Sequence, residues 1–459
     1  MAELPSFLWA QPAAAVAPYL LDFAAGSYSG PAGSIADPVA AGLLSVSRAS
    51  PATARRADGS YAQFTANQPR VTDLGLWLGA ARTNYVNAKF DGGAVGRAPA
   101  ITPVLSGGVV TGFTVTDAGA LLVTPTGGVT GNLTVLFTGG GGSGAAATVA
   151  ISNGVLTGGF TISAGGSGYT SAPAAKPLCC VGTLPAGMAM SSMPAGILWT
   201  VVDAGTVTDA PTGLPRLRLK IDGTAQATQT GVALSLSPTG STTGTAPAKG
   251  ATTTTGTDGD VWSGSAHVTP TVLTGSLPAN LKLTVVAYNG GSGPGISVAQ
   301  KPWIDATTTG SAANTTGHEA AIAAGSTTAT RLETLPIYLS NPSTGVALRI
   351  LADFVSGTTY GYTLDIVAPQ LEKLPDIQAR PSPPILAGRA VSTASAAASG
   401  TTLPVADASG MSVGQVLSGS GIPAGVTIAS KSGNTLTTSA ATTVASGASV
   451  TAIGLTCQQ

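Results

Sequence analysis

The side chains of this sequence that could do chemistry are few and scattered. Two histidines occur, His267 in VWSGSAHVTP and His318 in TTGHEAA. Neither has a second His or Cys at the spacing a zinc site needs, so both are read as solvent-facing polar residues. The run GMSVG at 410–414 fits the G-x-S-x-G nucleophile pattern. A hydrolase would also need a strand-to-helix turn there, with an Asp and a His further on. No His follows Ser412, and 62 glycines in 459 residues make a chance match ordinary. The run is read as a hairpin turn. GGGGSG at 139–144 matches G-x-G-x-x-G in letters only, because no strand–helix unit surrounds it. Asp258 and Asp260 in GTDGDVW form a fragment of a calcium loop that lacks the other oxygens and the distal Glu. A turn before a strand is the first reading there, and calcium the secondary one. Asp365 and Glu372 could be imagined as a glycosidase pair, but they fall on one predicted strand. Of the three cysteines, Cys179 and Cys180 are adjacent and Cys457 is remote, which gives no disulfide framework. Buried or idle thiols are expected. No catalytic residue, metal or cofactor is predicted, and the chain is read as non-enzymatic.

Aromatic rings offer a different chemistry. The flat face of an indole or phenol can stack on the C–H face of a pyranose at little entropic cost. The five tryptophans are Trp9, Trp77, Trp199, Trp262 and Trp303. Trp262 and Trp303, with Tyr288 between them, are the candidate carbohydrate contacts. The plainer reading is that these rings fill a core.

The elements that must position such groups are strands. Charged residues are only 9% of the chain and aromatics 5%. Gly, Pro, Ser and Thr interrupt every apolar run, so no window offers the roughly 20 apolar residues a spanning helix needs. Twenty basic residues balance twenty acidic ones without a basic stripe, which argues against nucleic acid as a partner. The first residues lack the basic n-region of a secretory signal, so assembly in a cytoplasm is expected. Helical periodicity is scarce, whereas short β-rich runs bounded by turn residues recur throughout. In RLRLKID, Leu217, Leu219 and Ile221 alternate with cations, the pattern of a half-buried antiparallel strand. The expected fold class is all-β and multidomain, a jelly-roll or lectin-like sandwich with smaller β modules.

Four regions follow from composition. Residues 1–100 form a loop-rich N-terminal segment, 101–176 a Gly/Thr-rich β insertion, 177–385 the sandwich and 386–459 a C-terminal β module. The hinge before the last is ARPSPPILAG. Within the second region SGGVVTGFTVTDAG (106–119) recurs as SNGVLTGGFTISAGG (152–166). Such a repeat buries a face only by stacking on a neighbour. The tract has no charge between Asp117 and Lys176. Packing against copies of itself is expected, in a closed homotrimer, with intrachain packing as the alternative. In the last module Ser432-Gly433-Asn434 signals a hairpin turn.

One stretch carries a resemblance. LDFAAGS, then LSVSRASPATARRADGSYAQFTANQPR, then GLWLGAARTN (residues 21–84) resembles a pattern common in tailed-phage virion proteins. There a strand ending in SRAS-x-AT leads to a DG turn, an A-N-x-PR segment and a closing run that ends in RTN. Trp77–Ala81 replaces the acidic stretch that usually precedes the Arg. The second mark is a late strand of the type Y-x-x-x-x-AQLE, beside which this chain has the run from Tyr362 to Glu372, ending Pro369-Gln370-Leu371-Glu372. GGSGYTSAP and SGSGIPAGVTI…SGNTLTTSAA are similar to pieces shuffled among phage fibres. The resemblance implies a head-fibre, tail-fibre or spike protein, located in the virion and partnered by itself, other virion proteins and host surface polysaccharide. It implies a lectin-like domain for adsorption. A purely architectural decoration or connector and a capsule or cell-wall depolymerase remain alternatives. Within the motif, Arg48 and Arg82 are expected to fix an irregular lobe by bonding carbonyls that no ladder satisfies, and Arg55 and Arg56 to face solvent.

Overall fold

A computed structural model describes residues 20–30, 33–46, 52–58, 60–64, 68–76, 82–84, 86, 88–236, 254–256, 260–288, 319–338, 343–375, 384, 390–408, 411, 415–423, 426–453 and 456–457. The fold is all-β, with no helix among the described residues.

A two-sheet sandwich holds the largest core. Its strands are β1 (Ile197–Thr208), β2 (Pro215–Thr224), β3 (Gln229–Ser235), β4 (Val261–Gly275), β5 (Ala279–Tyr288), β6 (Glu319–Ala321), β7 (Arg331–Glu333), β8 (Ile337–Tyr338), β9 (Ser343–Phe354) and β10 (Thr359–Leu374). One sheet runs β1-β2-β10-β4-β7, with β8 also on β4, and the other β3-β9-β5-β6. From β2 onward the first strand pairs with the last, β3 with β9, β4 with β7 and β8, and β5 with β6. That is a long antiparallel hairpin rolled into two sheets, the jelly-roll arrangement. Alternation directs the packing. Leu217, Leu219 and Ile221 of β2 point inward while Arg216, Arg218 and Lys220 point out. Leu234, Leu283, Leu348 and Ile350 face them from the second sheet. Gly264 of β4 is required by this closeness, because a Cβ there would meet Leu348 Cδ1 at 2.4 Å.

The 101–176 tract with its flanks folds into a six-stranded sheet. Its order is Val109–Asp117, Ala100–Ser106, Ala174–Pro177, Gly131–Thr138, Ser143–Ser152 and Val155–Ser167. The two copies of the repeat supply its two edge strands, and the sheet curls until those edges meet. Phe113 and Phe160, equivalent positions in the repeat, stack with centroids 4.3 Å apart and planes at 16°. A Cβ on Gly165 would lie 2.3 Å from Val109 Cγ1, so only Gly lets the edges come this close. The stacking the repeat needs is thus found within one chain. The strand edges whose exposure led to the expectation of a homotrimer are therefore packed against each other within one chain.

The C-terminal module has a core of its own around Leu403, Leu417, Leu436 and Val450, between two three-stranded sheets. Ile428–Ser432 and Thr435–Val444 form the hairpin expected at Gly433-Asn434. Beyond it Thr456–Cys457 pairs with Arg82–Thr83, so the end of the described chain returns to the N-terminal motif.

Candidate functional site

Of the predicted ring contacts, Trp262 alone has a described side chain. Trp262 is 1% exposed and lies in the core between the sheets. Its parity on β4 with Ala266 and Val268 turns it inward, so it cannot stack on a ligand from solvent. Tyr288 ends β5, with its side chain outside the description, and Trp303 lies outside the described residues. Asp258, His318, Arg48 and Ser412 lie outside them as well, and of Arg82 only the backbone is described. Asp260 is buried, with its carboxylate 2.6 Å from Lys373 Nζ, so its charge is met by a lysine. No group of three or more metal-ligating side chains occurs among the described residues. Arg55 and Arg56 are exposed, as expected.

His267 corrects the sequence reading. It is 1% exposed, on the outer face of β4 beside Arg331 and Val367. Tyr61 from the N-terminal lobe packs on it edge to face at 5.6 Å. Burial first, then the Arg331 charge, pushes its pKa down to about 3, so the ring is neutral. The outer face of this sheet was expected to be wet, but the lobe covers part of it. Ser263, Ser265, Gln370 and Glu372 are buried there too.

The same face carries an ion-pair lattice. Arg218 grips Asp365 in a bidentate pair, with Nε and Nη2 at 2.5 and 2.6 Å. Arg216 lies between Asp203, 3.4 Å away, and Asp365, 3.7 Å away. Asp209 accepts from the hydroxyls of Thr212 and Thr328. Asp365 and Glu372 both sit on this face of β10. Seven residues of strand, even with a bulge between them, span about 20 Å. That is far beyond the roughly 5–10 Å of a glycosidase pair. These carboxylates stabilise a covered sheet face.

Asn84 joins the two sequence marks described above. It is fully buried. Its Nδ2 donates to the Pro369 carbonyl at 3.0 Å, and its Oδ1 accepts from the Leu371 and Val86 amides at 3.1 and 3.0 Å. At this point β10 bulges. The register against β4 shifts between Val367 and Gln370, Ala368 has φ +45°, and Pro369 has no N–H to give. The Asn side chain supplies the hydrogen bonds that the interrupted ladder does not. In Pro369-Gln370-Leu371-Glu372, Leu371 enters the core while Gln370 and Glu372 enter the buried polar layer.

A cleft opens where the 101–176 tract meets the sandwich. Leu122–Val123 pairs with Cys180–Val181, which lies parallel to β1, so the tract extends the first sheet. The cleft beside this junction encloses about 290 Å³. The 123–129 loop forms one wall, and segments 182–184 and 188–192 the other, with Trp199 of β1 between them. The walls are tight turns. Thr124 Oγ1 accepts from Gly128 N at 2.9 Å and is 3.0 Å from Thr126 Oγ1. Thr183 and Ala94 exchange backbone hydrogen bonds at 2.8 and 2.9 Å. Ser191 Oγ accepts from Ala233 N at 2.8 Å, which leaves its proton free to donate. None of the lining side chains is charged. Sequence reasoning passed over this site, because Trp199 becomes a cleft residue only when the distant 123–129 loop is placed beside it.

Cys179 and Cys180 are free and buried, as expected, and burial raises their pKa values to about 11 and about 12. Comparisons with protein-family models, curated proteins and solved structures found no match to this chain.

Proposed function

We propose that this chain is a non-enzymatic fibre or spike protein of a tailed-phage particle, presenting its jelly roll to host surface polysaccharide. One observation carries the reading. The RTN and PQLE marks on which the phage resemblance rests lie 287 residues apart, yet Asn84 of the first hydrogen-bonds the backbone of the second. Two marks that meet in one clamp support a shared architecture better than two unconnected matches would. The jelly roll is a compatible scaffold, since sandwiches of this kind occur in capsid and lectin domains. In this reading the protein is assembled in the host cytoplasm and resides in the virion, as a homotrimer whose contacts would lie outside the closed edges of the 100–177 sheet.

The test is adsorption. Purified protein should bind host cells and compete with particles for them, and should release no reducing ends from capsule. Capsule degradation abolished by a single Asp or Glu substitution would establish a depolymerase instead. A protein that decorates particles but never binds cells would establish the architectural role. Mass measurement at micromolar concentration tests the oligomer, and a stable monomer refutes the trimer.

A further inference from the structure

We propose that the cleft between the 123–129 loop and the sandwich edge is the saccharide site, and that it takes an uncharged sugar unit. The inference rests on the glycan-binding reading above and adds to it a location and a ligand class.

Three properties of the cleft carry it. The first is its lining, which holds no charged side chain. Phosphate, carboxylate or ammonium groups would be stripped of water there with no counter-charge, which disfavours acidic and cationic ligands. The second is the mixture of surfaces. Half-buried Met190 and the small remaining exposed edges of Trp199 and Met188, 7% and 8% exposed, give the floor an apolar character, while Thr126, Thr183 and Ser192 place hydroxyls in exposed positions. A neutral pyranose has the matching form, with C–H faces for the apolar side and a belt of hydroxyls that both donate and accept. The third is rigidity. The hydrogen-bonded turns at 124–128 and 183, and the Ser191–Ala233 pair, hold the walls before any ligand arrives. A preformed site loses less entropy on binding. The enclosed space, about 290 Å³, lies at the lower end of small-ligand sites, the size of about one sugar unit.

The experiment uses the full chain on an array of neutral and acidic bacterial polysaccharide fragments, followed by titration of the best neutral hit. Thr126→Trp fills the mouth from an exposed position without touching either core. Ser192→Ala removes one rim hydroxyl. Circular dichroism and urea unfolding establish that both variants fold as the parent does. Binding to neutral fragments is expected, lost by at least about tenfold in Thr126→Trp and weakened about fivefold in Ser192→Ala. Neutral-glycan binding unchanged in both variants would place the site elsewhere and overturn this inference while leaving the adsorption reading intact. Binding confined to acidic fragments would also overturn it. Absence of glycan binding by the parent would overturn both readings together.

Discussion

Replacing Asn84 with Ala should be among the most damaging single changes to this fold. The substitution removes three hydrogen bonds and leaves the Val86 and Leu371 amides and the Pro369 carbonyl without that partner at a buried position. A buried polar group left unpaired costs about 1–3 kcal/mol. Water entering the vacated space recovers part of this, because the site is polar. A net loss of about 3–5 kcal/mol is expected, a large share of the roughly 5–15 kcal/mol that holds a typical domain. Asn84→Asp separates the contributions. It keeps the two accepted bonds but sets an oxygen against the Pro369 carbonyl and buries a charge, so it should be at least as harmful near neutral pH. Urea unfolding measures the loss as a shift in midpoint at constant slope. Hydrogen exchange adds a local reading, with the Leu371 and Val86 amides losing protection in Asn84→Ala. A destabilisation under about 1 kcal/mol, with Leu371 as protected as before, would refute the clamp and with it the physical link between the two sequence marks.

Other consequences follow from the same structure. His267 is neutral when folded, with its pKa near 3, but takes up a proton near pH 6.5 when unfolded. The unfolded state therefore binds more protons between those values, so stability falls as pH drops from about 6.5 toward 3, by up to about 1.4 kcal/mol per pH unit. Urea melts at pH 6.5 and 5 should show this slope, and His267→Gln should flatten it. Cys179 and Cys180, buried and protonated, should resist iodoacetamide at pH 8 and react fully in urea, as peptide mass mapping would show. Phe113→Ala and Phe160→Ala should each loosen the 100–177 sheet by about 2 kcal/mol, seen as faster proteolysis there. The double variant should cost less than the sum, because each single change already destroys the shared stack. Additive effects would mean the repeat edges do not meet.

Much of the local structure was legible in order of residues alone. The alternation in RLRLKID dictated an extended strand with Leu217, Leu219 and Ile221 on one face, because side chains in a strand point to opposite sides in turn. Gly433-Asn434 between two strand-forming runs dictated a hairpin, and the density of such signals dictated an all-β chain. Pairing over long separations was not legible in this way. Period-two alternation marks two faces but does not say whether the second is covered, so His267 read as wet until the N-terminal lobe was seen to lie on it. Trp262 could equally have been a platform or a core ring, and only the depth of the sandwich at β4 made it core. The repeat announced an unsatisfied face, but curvature of the sheet decided that one copy satisfies the other. The bond from Asn84 to Pro369 and the cleft at Trp199 both join segments that are far apart in the chain. Local propensity acts over a few residues, whereas these contacts exist only after a whole jelly roll has closed and brought its ends together.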